Sequence, residues 1–110
     1  MKNNDGRTAL HWAAGMGHLE MVKYLLEKGG AEVDVKDKYG ETALRWAAEN
    51  GHLEMLKYLL EKGGAEVNLK NNDGWTALHW AARFGHLEVV SFWNTIASDE
   101  LLKMVSNSCL

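Results

Sequence analysis

The stretch TALHWAA at residues 8–14 returns as TALRWAA at 42–48 and as TALHWAA at 76–82. Trp12, Trp46 and Trp80 therefore stand 34 residues apart, as do Gly6, Gly40 and Gly74 and the pairs Gly17-His18, Gly51-His52 and Gly85-His86. Residues 3–36 and 37–70 align without a gap, residues 71–90 match 3–22, and from Ser91 onward the match is lost. A period of this length marks an array in which each unit cannot bury its apolar face alone, so that neighbours must stack to complete one core.

Each unit is legible from its own residues. NNDG at 3–6, DKYG at 37–40 and NNDG at 71–74 put Asn or Asp first and Gly fourth, which suits a type I turn. Thr8, Thr42 and Thr76 follow as N-caps of a helix of about two turns that stops at Gly17, Gly51 or Gly85. A second helix is expected in HLEMVKYLLEKGG, with Leu19, Val22, Leu25 and Leu26 on one face and Glu20, Lys23, Glu27 and Lys28 toward water. After its double glycine, AEVDVK and AEVNLK alternate apolar and polar residues and are expected to form a short extended finger.

Composition bounds the function. The chain has 110 residues, 46% hydrophobic and 25% charged, with a net charge of -3, which is an ordinary globular balance for one domain. Acids and bases alternate along the helices without a basic stripe, so no nucleic-acid partner is expected. The apolar runs fall far short of a membrane span, so no membrane partner is expected either. Cys109 has no second cysteine to pair with, and the first residues lack the zones of a signal peptide, which points to a cytoplasmic, reducing setting.

DKYGETALRWAAENGHLEML at 37–56, present in phase in all three units, is similar to ankyrin repeats over roughly residues 3–90. The resemblance implies an all-α repeat solenoid of helix-turn-helix units joined by β-hairpin-like fingers, at 3–36, 37–70 and 71–98 within one domain spanning 1–110. Two departures stand out. Alanine at 9, 43 and 77 replaces the family's proline, and each GGAEV linker carries one extra residue. The resemblance also implies a binding scaffold without chemistry of its own. No enzyme, cofactor or metal is expected: His11 with His18 and His79 with His86 straddle helix-ending glycines, and Arg45 takes the histidine place in the middle unit. By resemblance, the first histidine of each pair supports the turn through bonds to the threonine and the adjoining repeat.

Where the units differ marks the expected partner-binding surface. The turn positions hold Asp5 and Arg7 in the first unit, Lys38, Tyr39 and Glu41 in the second, and Asp73 and Trp75 in the third. The ends of the first helices hold Met16, Asn50, Arg83 and Phe84. These places coincide with those that ankyrin proteins use to contact partners and with those varied in designed ankyrin libraries. On a helical wheel with Leu10 inward, Ala13 and Ala14 lie within roughly 60° of it while Trp12 lies about 200° away. Trp12, Trp46 and Trp80 are therefore expected on the concave side, each packed on its neighbour with an edge in the groove.

In the tail, Ser98 to Glu100 make a helix start, and Leu101, Leu102 and Val105 share a face, so a cap helix is expected at about 99–106. The first unit has no polar outer face, which predicts fraying, end-to-end association of an otherwise monomeric chain, or a longer array. Two functions follow: a module that binds a protein or peptide through its groove and finger tips, or a structural scaffold with no partner of its own. Near-identical repeats suit both, since recent duplication and design leave the same trace.

Overall fold

Thr8, Thr42 and Thr76 hold extended backbone, with φ of -103°, -112° and -97°, and the chain becomes helical at the next residue. The computed structural model describes residues 4–95, in which six helices follow: α1 (Ala9–Met16), α2 (Leu19–Glu27), α3 (Ala43–Glu49), α4 (Leu53–Glu61), α5 (Ala77–Arg83) and α6, helical over 87–95. They pair as α1/α2, α3/α4 and α5/α6, one pair for each copy of the motif, in an all-α repeat solenoid. No strand occurs among the described residues.

Small residues explain why the first helix of each pair forms the inner row. Ala13, Ala14, Ala47, Ala48 and Ala81 are buried and let α1 pack closely on α3 and α3 on α5. The second helices lie outside that row, each against its own first helix, and contribute Val22, Met55, Leu56, Leu59 and Val89 to a single core. Leu10 and Leu44 point into this core from the inner row.

The step from first to second helix requires glycine. Gly51 has φ of +71°, where a β-carbon is strained, and a β-carbon there would sit 2.7 Å from the His86 ring. The close approach is functional for the stack: His86 Nε2 donates to the Glu49 carbonyl, just as His52 Nε2 donates to the Gly15 carbonyl at 3.0 Å. His52 and His86 thus tie the second and third units to the end of the preceding unit's first helix.

His11 ties its unit to the next in the opposite direction, as the resemblance implies, whereas the hydrogen bonds of His79 go to Thr76 of its own unit. Thr8 N–H donates to His11 Nδ1 at 2.9 Å, so that nitrogen carries no proton, and Nε2–H is left to donate to the Val35 and Glu41 carbonyls, both at 3.1 Å. Burial pushes the His11 pKa below its ordinary value, in keeping with this neutral tautomer.

The linkers differ from the expected extended fingers. Residues 33–34 and 67–68 turn instead, and the fingers are closed by single backbone bonds, Asp37 N–H to Glu41 at 2.9 Å and Asn71 N–H to Trp75 at 2.8 Å. Asp37 and Asn71 account for this: the side-chain oxygen of each accepts two N–H groups within its own turn, which competes with a ladder of backbone pairs. In the last pair Trp93 is buried at the position of Leu59, while Asn94, at a core leucine position, is exposed. The cap helix expected at 99–106 lies outside the described residues.

Candidate protein-binding groove

Trp12, Trp46 and Trp80 leave the helices on the side away from the buried Leu10 and Leu44, as the wheel predicts; Trp46 and Trp80 line a groove beside the turns, and Trp12 extends their row against Trp46. Trp12 and Trp46 pack ring on ring, with centroids 6.1 Å apart and tilted by 38°. The next step of the row is different. Arg45 threads between Trp46 and Trp80, its guanidinium carbon 4.6 Å from one ring centre and 4.2 Å from the other. Arg7 lies 4.7 Å from Trp46 and 5.8 Å from Trp12. The floor is thus an alternation of indoles and guanidinium groups rather than an unbroken ladder of rings.

Carboxylates hold these arginines in place. Arg45 Nε lies 3.2 Å from Glu41 and Arg45 Nη1 lies 3.0 Å from Glu49, one turn to either side of it on or beside α3. Arg7 lies 3.4 Å from Asp5 of its own turn and 3.5 Å from the buried Asp37 of the next. Glu41 is buried as well, and its pKa is raised, first by burial, while the Asn71 amide and Arg45 work in the opposite direction. The indole N–H groups of Trp46 and Trp80 are buried without an acceptor, a cost of about 1–3 kcal/mol for each. The guanidinium contacts on the same rings, worth about 0.5–2 kcal/mol each, offset it locally.

The C-terminal end of the row is the most aromatic. Trp75 packs 5.3 Å from Trp80, Phe84 stacks on Trp80 at 6.2 Å and 13°, and Arg83 lies within 6.0 Å of all three rings. Trp75 is thereby partly covered, so the cost of a large apolar side chain in a turn is met within the chain.

The structure distributes the sequence-predicted residues over two rims and a floor. Lys38, Tyr39 and Asp73 are exposed along the turns, and Met16, Asn50, Arg83 and Phe84 are exposed at the helix ends. Trp46, Trp75, Trp80, Asp5 and Arg7 are half-buried, and Trp12 is exposed. A cavity of about 370 Å³ joins Tyr39 and Asp73 to Trp46 and Trp80, and another of about 450 Å³ joins Trp46, Asn50 and Phe84. Asp5, Trp12, Met16, Lys38, Trp75 and Arg83 line neither of these. Glu41 faces the first cavity but is committed to Arg45 and to Asn71, whose amide donates to it at 3.1 Å.

Arg45 is the groove residue that inspection of turns and helix ends overlooks. Its signal is present in the sequence as the single departure inside the TAL-x-WAA motif, where the other two units carry histidine. Among the described residues no group of three or more His, Cys, Asp or Glu side chains is placed to hold a metal ion. None of their helices is long and apolar enough to cross a membrane.

Comparison with known proteins agrees with this architecture. A family model described as "Ankyrin repeats (3 copies)" matches residues 1–71 and, in an overlapping placement, 29–92. The chain is 58% identical over 33 residues to cell division cycle-related protein res1/sct1 of Schizosaccharomyces pombe, a match covering 30% of the chain and 5% of that protein. It is 53% identical over 36 residues to human 26S proteasome non-ATPase regulatory subunit 10, covering 33% and 15%. It is 50% identical over 38 residues to the mitochondrial liver isoform of mouse glutaminase, covering 34% and 6%. The matches therefore span about one unit, a small part of each relative.

Proposed function

The chain belongs to the ankyrin-repeat family, whose repeats generally mediate protein–protein interaction, and on that premise we propose that it is a non-catalytic module binding a protein or peptide in its groove. One observation carries this reading: the turn and first-helix-end positions at which the near-identical units differ include Tyr39 and Phe84, each about half exposed (48% and 49%) over cavities that share Trp46. Large apolar side chains held in place by arginines around open cavities, with polar residues along the rims, suit a partner's side chains. Aromatic and arginine residues are also those that most often dominate binding energy at such surfaces.

Affinity capture with the intact chain and with Trp75→Ala/Arg83→Ala/Phe84→Ala, side by side, tests the reading. Loss of a captured protein with the triple variant supports it. Near-identity of the units favours a second reading, a scaffold with no partner of its own: capture of no protein by either chain decides for that one, and capture unchanged by the three substitutions rules this surface out of the first reading.

A further inference from the structure

Arg7, Arg45 and Arg83 stand among the rings of the groove, which by itself suggests an acidic partner. The ion pairs point the other way. Arg7 already answers Asp5 at 3.4 Å and Asp37 at 3.5 Å, and Arg45 answers Glu41 at 3.2 Å and Glu49 at 3.0 Å. Each guanidinium is thus shared between two carboxylates. The cavity of about 370 Å³ is lined by Asp37, Glu41 and Asp73 against these two cations alone. Lys38 lies 5.7 Å from the Tyr39 ring centre and Arg83 lies 5.9 Å from that of Trp75, and neither lines the cavity.

Of the three carboxylates, Asp37 is spent: Oδ1 accepts the Tyr39 and Glu41 N–H groups, and Oδ2 faces Arg7. The other two are not. Glu41 is only 6% exposed, and its contacts with Arg45 Nε and with the Asn71 amide, at 3.1 Å, both fall on Oε2. That leaves Oε1 without a donor from the described residues, in a side chain that lines the cavity. A buried carboxylate oxygen in this state is costly. Burial, joined by the Asp37 and Glu49 charges, holds the Glu41 pKa above its ordinary value against the Asn71 amide and Arg45. Asp73 is exposed on the next turn, and its carboxylate meets no cation within ion-pair distance among the described residues.

We infer that this cavity takes a lysine or arginine side chain of the bound protein or peptide, its cation facing Asp73 and Glu41 Oε1 and its aliphatic stem against the Tyr39 ring. The assignment rests on the groove being a protein-binding site and names the chemistry that it selects. Tyr39 is half exposed at the cavity, and a stem laid along it covers apolar surface while the charged head keeps its acceptors. An acidic side chain in the same place adds a fourth carboxylate to the three that line the cavity, and like charges so placed repel.

Random-sequence peptides displayed on phage and selected on the wild-type chain are the probe. Those that lose binding to Tyr39→Ala or to Trp75→Ala/Arg83→Ala/Phe84→Ala are held in the groove. Each of these is expected to carry a lysine or arginine whose replacement by glutamine, in the synthetic peptide, weakens binding about tenfold or more. Asp73→Asn, at an exposed turn position, weakens the same peptides about threefold to tenfold, and so does Glu41→Gln, each variant being shown to be folded by thermal unfolding. Glu20→Gln, on the exposed side of α2, leaves them unchanged. Groove-held peptides that lack a basic residue, or that are indifferent to its loss and to Asp73→Asn, overturn the inference and leave the binding groove standing. An equal weakening by Glu20→Gln reduces the effect to net charge and overturns it as well. A selection that yields no peptide sensitive to either groove variant removes the groove as a binding site and the inference with it.

Discussion

Arg45 and His11 occupy the same place in successive units and do opposite things with it. His11 is neutral and buried, its two nitrogens spent on the Thr8 N–H and on the Val35 and Glu41 carbonyls. Arg45 is charged, sits between two indoles and answers two carboxylates. Arg45→Ala leaves the buried Glu41 without its cation and is expected to cost about 2–4 kcal/mol in urea unfolding at neutral pH. Glu41 already has a raised pKa, so the penalty shrinks as pH falls through that raised value toward its ordinary 4.5. An equal loss at neutral and acid pH would contradict the charge argument.

His11 sets a second pH dependence. Its folded pKa lies below the ordinary 6.5, chiefly because burial penalises the charged ring, so the unfolded chain binds a proton first on acidification. Its stabilising contribution is full above 6.5 and is lost as pH falls from there through the lowered folded value. His11→Ala should cost about 1–3 kcal/mol, from the helix cap and the bonds to Val35 of its own unit and Glu41 of the next, and should flatten the pH dependence of the unfolding midpoint in that window.

At the scale of the element, the helix boundaries were legible because each rests on local chemistry. Threonine ahead of α1, α3 and α5, the Gly-His pair ahead of α2 and α4, glycine near each end and an apolar stripe between them suffice to place α1 to α5 within a residue or two. The linkers were not legible in the same way, because AEVDV alternates like a strand while Asp37 and Asn71 spend their side chains on the backbone of the following turn. Gly51 and Gly85 separate local strain from tertiary contact. Both have φ of +71°, but a β-carbon at Gly51 meets the His86 ring whereas one at Gly85 meets nothing within 4 Å. Gly85→Ala should cost about 1 kcal/mol for the backbone alone, and Gly51→Ala about 1–3 kcal/mol more for displacing His86. Thermal unfolding of the two variants compares them directly, and equal losses would remove His86 from the account.

For the whole molecule, the middle pair is the one packed on both sides. Ala43, Leu44, Ala47, Ala48, Met55, Leu56, Tyr58 and Leu59 are all buried there, against Leu10, His11, Ala13, Ala14 and Val22 in the first pair. Stability in an array is the sum of unit and interface terms, so the slowest amide exchange should fall in α3 and α4. Protection that peaks in α1 or α2 would show that the first interface is the stronger one.

By itself the sequence determined the all-α repeat solenoid, its 34-residue period and the side of the helix from which the tryptophans leave, because these depend on residues close together in the chain. Only the tertiary structure decided which ring meets which guanidinium, that Glu41 is buried, and that Met21 and Tyr24 are exposed where Met55 and Tyr58 are not. Those outcomes depend on the adjacent unit, and two identical stretches of sequence carry no record of whether a neighbour covers them.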